Sequence, residues 1–343
     1  MTVPPQHQVT VAPTGETFQV APGERIHSAA RRAGIWLPFE CGWGSCGTCK
    51  ATLVEGEVEL LFPQAPAIDA RDERRRRVLL CQTTASSDLV IKPPRAEPVP
   101  PPERPVNDLL GRLVDVELLG PAISRFTVAV SDLEGRPTTA DYRPGQYAVL
   151  ELAPGLRRCL SMAGLPGDDR VEFIAKHYPG GAGSDRLFAL RPGAPLPLEL
   201  PYGDMWLRDT PRPILLVAGG TGISAVLALM RQLRSDHAGR PVAVVYGAAT
   251  EPELVCWDEL TDTVASIPGA RLHGVLLRPE PGWTGDTGLV TDPLPSLLDN
   301  LGGDEGVGVE VYLAGPPPMV RAVQDVLSAH QLQRDRIHVD SFG

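Results

Sequence analysis

The chain lacks a basic field. Its 32 lysines and arginines are outweighed by 42 acidic residues, for a net charge of −10. Phosphate backbones are held by positive surface, so nucleic acid is excluded as the main partner. The opening "MTVPPQHQVT" lacks a basic stretch followed by an apolar one, and no secretory signal is expected. Long apolar runs are scarce. The one uncharged run that raises the question of a membrane, 213–230, contains Gly219, Gly220, Thr221, Gly222 and Ser224, and reads as buried strand, tight turn and helix. There is no internal repeat and no catalytic triad. The expectation is a cytoplasmic protein without a membrane anchor, and in that compartment disulfides are rare. Six cysteines, four of them in a tight pattern, then point to metal or redox chemistry.

What is present suits two or three domains: 343 residues, of which 43% are hydrophobic. The 36 prolines are about twice the usual share. Many fall in "VIKPPRAEPVPPPERPV", residues 90–106, which has no apolar periodicity and reads as an extended connector. Residues 1–93 form a first domain and 94–106 the linker. Residues 107–209 carry short β-rich runs ("RLVDVELLG", "ISRFTVAVS", "QYAVLELA", "RVEFIAKHY") punctuated by Gly and Pro, which predicts an antiparallel barrel. In 210–343 strand-like and helical runs alternate: "PILLVAG" with "ISAVLALMRQLRS", "PVAVVYGA" with "ELVCWDELTDTV", and "GVEVYLAG" with "PPMVRAVQDVLSAH". That pattern predicts a parallel sheet flanked by helices.

"CGWGSCGTCK" spaces Cys41, Cys46 and Cys49 as C-x4-C-x2-C, and the next cysteine is Cys81. This is the plant-type spacing for a [2Fe–2S] cluster held by four thiolates. Gly42, Gly44 and Gly47 supply the backbone freedom that a loop wrapped round a cluster requires. A zinc site would show paired C-x2-C knuckles, and a Rieske centre would need two histidines close by. "RDERRRR", 71–77, reads as a solvated basic face, with a docking patch for an acidic partner or a neighbouring domain as the sharper alternative. Cys159 and Cys256 read as small buried residues in a strand and a helix.

"VAGGTGISAVLALM" sets Gly219, Gly220 and Gly222 between a strand and a helix, where backbone can approach a pyrophosphate. "RRCLSMAG" (157–164) resembles the R-x-Y-S flavin motif of the ferredoxin–NADP reductase superfamily. "GGAGS" (180–184) resembles that superfamily's flavin-pyrophosphate motif, and "YLAGPPPMV" (312–320) its C-G-P-P motif. With the cysteine-rich first domain, nearly the whole chain is similar to the reductase components of bacterial multicomponent oxygenases. The resemblance implies a ferredoxin-like α+β (β-grasp) [2Fe–2S] domain, an antiparallel β-barrel flavin domain and an α/β parallel-sheet nucleotide-binding domain. It implies that NADH delivers hydride to FAD, which passes electrons singly to the [2Fe–2S] cluster. An oxygenase or hydroxylase component, diiron or Rieske, would receive them.

Carried over residue by residue, the resemblance implies that Arg158 neutralises flavin phosphate and that Ser161 hydrogen-bonds near the hydride-accepting nitrogen. Gly181, Ala182, Gly183 and Ser184 would hold the flavin pyrophosphate. Gly220, Thr221 and Gly222 would cradle the NADH phosphates, with Gly315 and Pro316 bordering the nicotinamide. His177 could touch the ribityl chain, although a structural histidine is the plainer reading, and Phe342 could cover the flavin face. Leu160 stands where the superfamily has a flavin-stacking aromatic, and Ala314 where many relatives have cysteine. Tyr178 could compensate for Leu160, with barrel packing as the plainer role. Glu251 and Glu253, after the second nucleotide-domain strand, favour NADH by repelling a 2′-phosphate. Alternatives are a reductase for a deoxysugar dehydratase and a flavin-binding redox sensor without turnover.

Overall fold

A computed structural model describes residues 6–12, 14–94, 101–236, 239–302 and 308–341. Residues 95–100 of the proline-rich connector and Phe342 lie outside this range. The chain forms two compact units, residues 1–106 with 151–159, and residues 107–150 with 160–343.

In the first unit the strands are β1 (His7–Val11), β2 (Glu16–Val20), β3 (Lys50–Glu55), β4 (Val58–Leu60), β5 (Arg77–Leu79), β6 (Thr83–Ala85) and β7 (Leu89–Lys92). A five-stranded mixed sheet runs β2-β1-β7-β3-β5, and β4 pairs separately with β6. Strand alternation buries Val9 and Val11 of β1 and Phe18 and Val20 of β2. Helix α1 (Ile26–Arg32) lays Ile26, Ala29 and Ala30, at i, i+3, i+4 spacing, into the same core. This is the β-grasp arrangement. Residues 33–49, between α1 and β3, contain no helix or strand and carry three of the cysteines. Helix α2 (Ala70–Arg74) opens with a capping box in which the Asp69 side chain accepts from Arg71 and Asp72 backbone N–H groups. The chain then runs through β5 into Cys81.

After the connector come antiparallel strands β8 (Asn107–Gly120), β9 (Ile123–Ser131), β10 (Tyr147–Ala153), β11 (Leu156–Ser161), β12 (Arg170–Lys176) and β13 (Leu198–Tyr202), in the order β11-β10-β13-β8-β9-β12, which belong to the second unit apart from residues 151–159. An isolated antiparallel bridge from Met162 to Phe173 of β12 curls this sheet toward a barrel. Helix α3 (Ala182–Phe188) follows β12.

The remainder is a parallel sheet, β14 (Ile214–Gly219), β15 (Val242–Ala248), β16 (Arg271–Leu276), β17 (Asp286–Thr287), β18 (Glu310–Gly315) and β19 (Ile337–Ser341), ordered β17-β16-β15-β14-β18-β19. Its helices are α4 (Ile223–Asp236), α5 (Trp257–Ala265), α6 (Leu294–Gly302) and α7 (Pro317–Ala329). Every residue of β14 and β18 is buried, as expected for central strands covered on both faces. Barrel and parallel sheet are tied through Arg231 of α4, which bonds Glu172 of β12 and Glu259 of α5. Arg125 of β9 reaches the same Glu259 at 2.8 Å.

Candidate functional site

The four clustered cysteines come together in two pairs. Cys49 Sγ lies 3.2 Å from Cys81 Sγ, while the Cys46 amide approaches Cys41 Sγ at 3.5 Å. Among the described residues no three His, Cys, Asp or Glu side chains converge as a single-ion site. Two thiol pairs, three of the sulfurs from the 33–49 loop and one from the turn after β5, instead fit a binuclear unit that takes two thiolates per iron. The hydrogen bond from Cys46 draws the Cys41 thiol down to about 4 and pushes Cys46 up. Contact with Cys81 lowers Cys49, and Cys81 rises in return. Each pair favours a thiolate, the form that binds metal.

The loop is held from outside. Gly44 adopts φ +98°, and a Cβ there would sit 2.9 Å from the Ala65 methyl. The Gly44 carbonyl accepts from the Ala67 amide at 3.0 Å. Gln82, beside Cys81, donates to the Gly42 carbonyl at 2.9 Å. Lys50, next to Cys49, is salt-bridged to Asp72 of α2, and Arg77 bonds the other oxygen of that carboxylate at 3.0 Å. Asp72 is only 4% exposed, and the Lys50 hydrogen bond chiefly holds its carboxyl down at about 2.

The tip of the β10–β11 hairpin belongs to this unit. Arg158 lies with its guanidinium carbon 4.5 Å from the Trp43 ring centre, a cation–π contact. Cys159 differs from its sequence reading: it is half-buried, and its thiol donates to the Cys41 carbonyl at 2.9 Å. Cys256 also departs from a helix-interior residue. It sits in the left-handed region (φ 57°) immediately before α5, half-buried, with Arg125 3.3 Å from its sulfur.

In the second unit Ser161, at the end of β11, is buried and donates to Asp340 of β19 at 2.6 Å. Sequence reasoning missed Asp340. Its only signal was its place two residues before Phe342. Leu160, beside Ser161, is half-buried. His177 Nε2 lies 2.7 Å from Asp185, and its ring stacks on Phe188. Gly181 caps α3, where a Cβ would meet the Tyr178 carbonyl at 2.9 Å. Ala182, Gly183 and Ser184 form the first turn of α3, and Ser184 closes the loop by donating to that same carbonyl at 2.8 Å. Tyr178 itself is 60% exposed, which removes it from barrel packing and leaves its ring free beside the glycine-rich turn.

The two remaining motifs meet where the strand order reverses between β14 and β18. In an open parallel sheet this is where a crevice opens and ligands bind. A Cβ on Gly222 would fall 2.1 Å from the Ala314 carbonyl, so only glycine lets the Gly220–Thr221–Gly222 turn approach β18. Gly219 and Gly315 both face the thioether of Met319, whose sulfur or methyl would clash with a Cβ at either position. Pro316 caps α7 and is exposed. Glu253 forms a 2.7 Å ion pair with Lys176, which lowers its pKa, while Glu251 is exposed at the end of β15. The two glutamates, alike in sequence, thus differ in that Glu253 is engaged by a lysine and Glu251 faces solvent.

Comparison with known proteins agrees with this geometry. Residues 9–86 match the 2Fe-2S iron-sulfur cluster binding domain and 216–325 the oxidoreductase NAD-binding domain. The ferredoxin–NAD(+) reductase component of an alkene monooxygenase system from Xanthobacter autotrophicus is 35% identical, over 96% of this chain and 98% of its own length. The reductase component of phenol 2-monooxygenase from a Pseudomonas species is 32% identical, over 98% of this chain and 94% of its own. Among solved structures, the ferredoxin reductase of carbazole 1,9a-dioxygenase superimposes with a TM-score of 0.84 at 29% identity, covering 99% of both chains. Among the described residues, no helix is long and apolar enough to cross a membrane. A thiol-paired β-grasp unit, a curled antiparallel sheet and a glycine-lined parallel-sheet crevice on one chain, together with these relatives, place the protein in the family of ferredoxin–NAD(+) reductase components of multicomponent oxygenases.

Proposed function

We propose that the chain takes electrons from NADH and delivers them, one at a time, to an oxygenase component. The observation that carries this is the coexistence on one chain of two thiol pairs and a glycine-lined crevice between β14 and β18. When bound, FAD accepts one hydride, an electron pair with its proton, and releases the electrons singly, and a [2Fe–2S] unit carries one electron at a time. The protein's part is to hold, orient and exclude water.

Cys41, Cys46, Cys49 and Cys81 would hold the cluster. Arg158 would meet flavin phosphate, for which its planar fork suits two oxygens. Gly181, Ala182, Gly183 and Ser184 would border the flavin pyrophosphate, and Leu160 would pack on the ring. Tyr178, exposed beside that turn, supplies an aromatic face that Leu160 does not. Ser161, whose hydroxyl donates to Asp340, would have its oxygen lone pairs left to accept from a flavin ring N–H. Gly220, Thr221 and Gly222 would receive the nicotinamide dinucleotide's phosphates, with Gly315 and Pro316 at its reacting end. Exposed Glu251 selects NADH, since it would repel a 2′-phosphate. Functionally the chain divides into residues 1–93, a linker 94–106, and flavin and nucleotide parts at 107–209 and 210–343.

Stopped-flow mixing with NADH tests this. Flavin absorbance should bleach first, and long-wavelength cluster absorbance should follow. Ser161→Ala should slow the bleaching on the order of a hundredfold, the cost of losing one placed hydrogen-bonding group. A flavin that NADH leaves oxidised would favour the sensor alternative and overturn the proposal.

A further inference from the structure

The segment from Leu60 to Arg77 borders the cysteine loop. Its start is tied to the Cys81 turn, because the Leu61 amide donates to the Gln82 carbonyl at 2.9 Å. Its middle touches the loop through Ala65 and Ala67. Its helix, α2, is fastened through Asp72 to Lys50, the residue after Cys49. This border carries two features that a merely structural edge does not need. Leu60 and Phe62 are 46% and 37% exposed, and Pro63 follows them on the surface. Arg71, Arg74 and Arg75 are exposed and make no ion pair among the described residues. Arg71 is four residues beyond Ala67, so it lies within about 14 Å along the chain of a residue touching the loop.

Of the three acidic residues in the same stretch two are engaged, and the third, Glu73, is exposed and outnumbered by the arginines around it. Asp72 is buried between Lys50 and Arg77, and Asp69 accepts from the helix amides. Arg76 differs from the other three, since its guanidinium is committed to the Gly56 carbonyl at 2.7 Å. Cys46, one of the four thiols, is itself exposed. An exposed aromatic and leucine on the same loop-bordering segment as unpaired arginines have the composition of a protein-binding surface.

We propose that Leu60, Phe62, Arg71, Arg74 and Arg75 form the docking face for the electron-accepting protein, and that this acceptor carries acidic groups around an apolar contact. The proposal rests on the electron-transfer reading above and deepens it by naming the face and the charge of the partner. The chain as a whole carries −10, so an acidic acceptor is repelled elsewhere and attracted here. The same charges therefore orient it toward the cysteine loop. A membrane or a nucleic acid would meet the full negative field over a far larger area.

The test uses the full-length holoprotein, reduced by NADH, with three acceptors: cytochrome b5 as an acidic haem protein, cytochrome c as a basic one, and ferricyanide as a small one. Wild-type reduction of cytochrome b5 should fall steeply with added salt. The triple variant Arg71→Glu, Arg74→Glu, Arg75→Glu should reduce cytochrome b5 about tenfold more slowly at low salt. It should lose the salt dependence and keep the ferricyanide rate and the cluster spectrum. Phe62→Ser should slow cytochrome b5 and leave the salt slope intact. Titration calorimetry with oxidised cytochrome b5 should show the same ranking of affinities without any turnover.

Unchanged cytochrome b5 rates in both variants, beside normal ferricyanide rates, would overturn the docking face. So would equal slowing of cytochromes b5 and c by the charge reversal. Binding of wild type, but not the triple variant, to phosphatidylserine vesicles with cytochrome b5 kinetics untouched would overturn it in favour of a membrane. Failure of the wild type to reduce even ferricyanide would instead bring down the electron-transfer reading on which this one rests.

Discussion

The cysteine loop and the β14–β18 crevice are both glycine-rich sites, but they are built in opposite ways. The crevice is a by-product of a core that assembles without it. Residues such as Leu216, Val217, Val311 and Leu313 are fully buried, and the turns simply end the strands they belong to. The loop of residues 33–49 contains no helix or strand and is shaped by positive φ at Gly42, Gly44 and Gly47. What it folds around is the group its thiols are paired to hold. One site is thus supported by the fold, whereas the other contributes to it, as metal-bearing loops do.

Removing the iron–sulfur unit should break this comparison most visibly. In Cys81→Ser the long-wavelength absorbance should vanish. The calorimetric transition of the first unit should drop by about 4 kcal/mol, the linkage expected of a group held a thousandfold above its dissociation constant, while the second unit is unmoved. Gly222→Ala should do the reverse. Its Cβ meets backbone, which cannot rotate away, so the second unit should lose about 3 kcal/mol and the cluster spectrum should stay. Glu251→Arg should leave both transitions in place and raise the NADPH-to-NADH ratio of kcat/KM about tenfold, about 1.4 kcal/mol; an unchanged ratio would remove Glu251 from specificity.

The smallest effect is confined to acid. The folded-state pKa of Asp72 is depressed to about 2, so its contribution is complete above the ordinary carboxylate value of about 4 and disappears as pH falls toward 2. Acid titration followed by circular dichroism should show Asp72→Asn flatter than wild type across that window.

The sequence made the chemistry more legible than the architecture around it. C-x4-C-x2-C and the strand–glycine–helix turn could be read because the ligand dictates residue type and spacing together. Strands β8, β9, β10, β12, β14, β15 and β18 are visible as β-rich runs. Strands β16, β17 and β19 and helix α6 were not singled out, since short half-buried segments such as "RLHGVL" carry little periodicity. "ELVCWDELTDTV" reads as one helix, yet the helix starts at Trp257, because Cys256 takes a left-handed turn. Contacts between residues far apart in the chain had no local signal. Ser161 with Asp340, Lys176 with Glu253 and Cys159 with the Cys41 carbonyl arise only when the topology brings the partners together.

Met319 gives the crevice a property that its glycines alone would not. Where Gly219 and Gly315 lean on one side chain, that side chain is an unbranched, polarizable thioether with several rotatable bonds rather than a stiff branched one. A rotation about soft torsions is available there where a branched side chain would offer none. The floor shared by the two turns is thus a single adjustable side chain instead of a fixed wall.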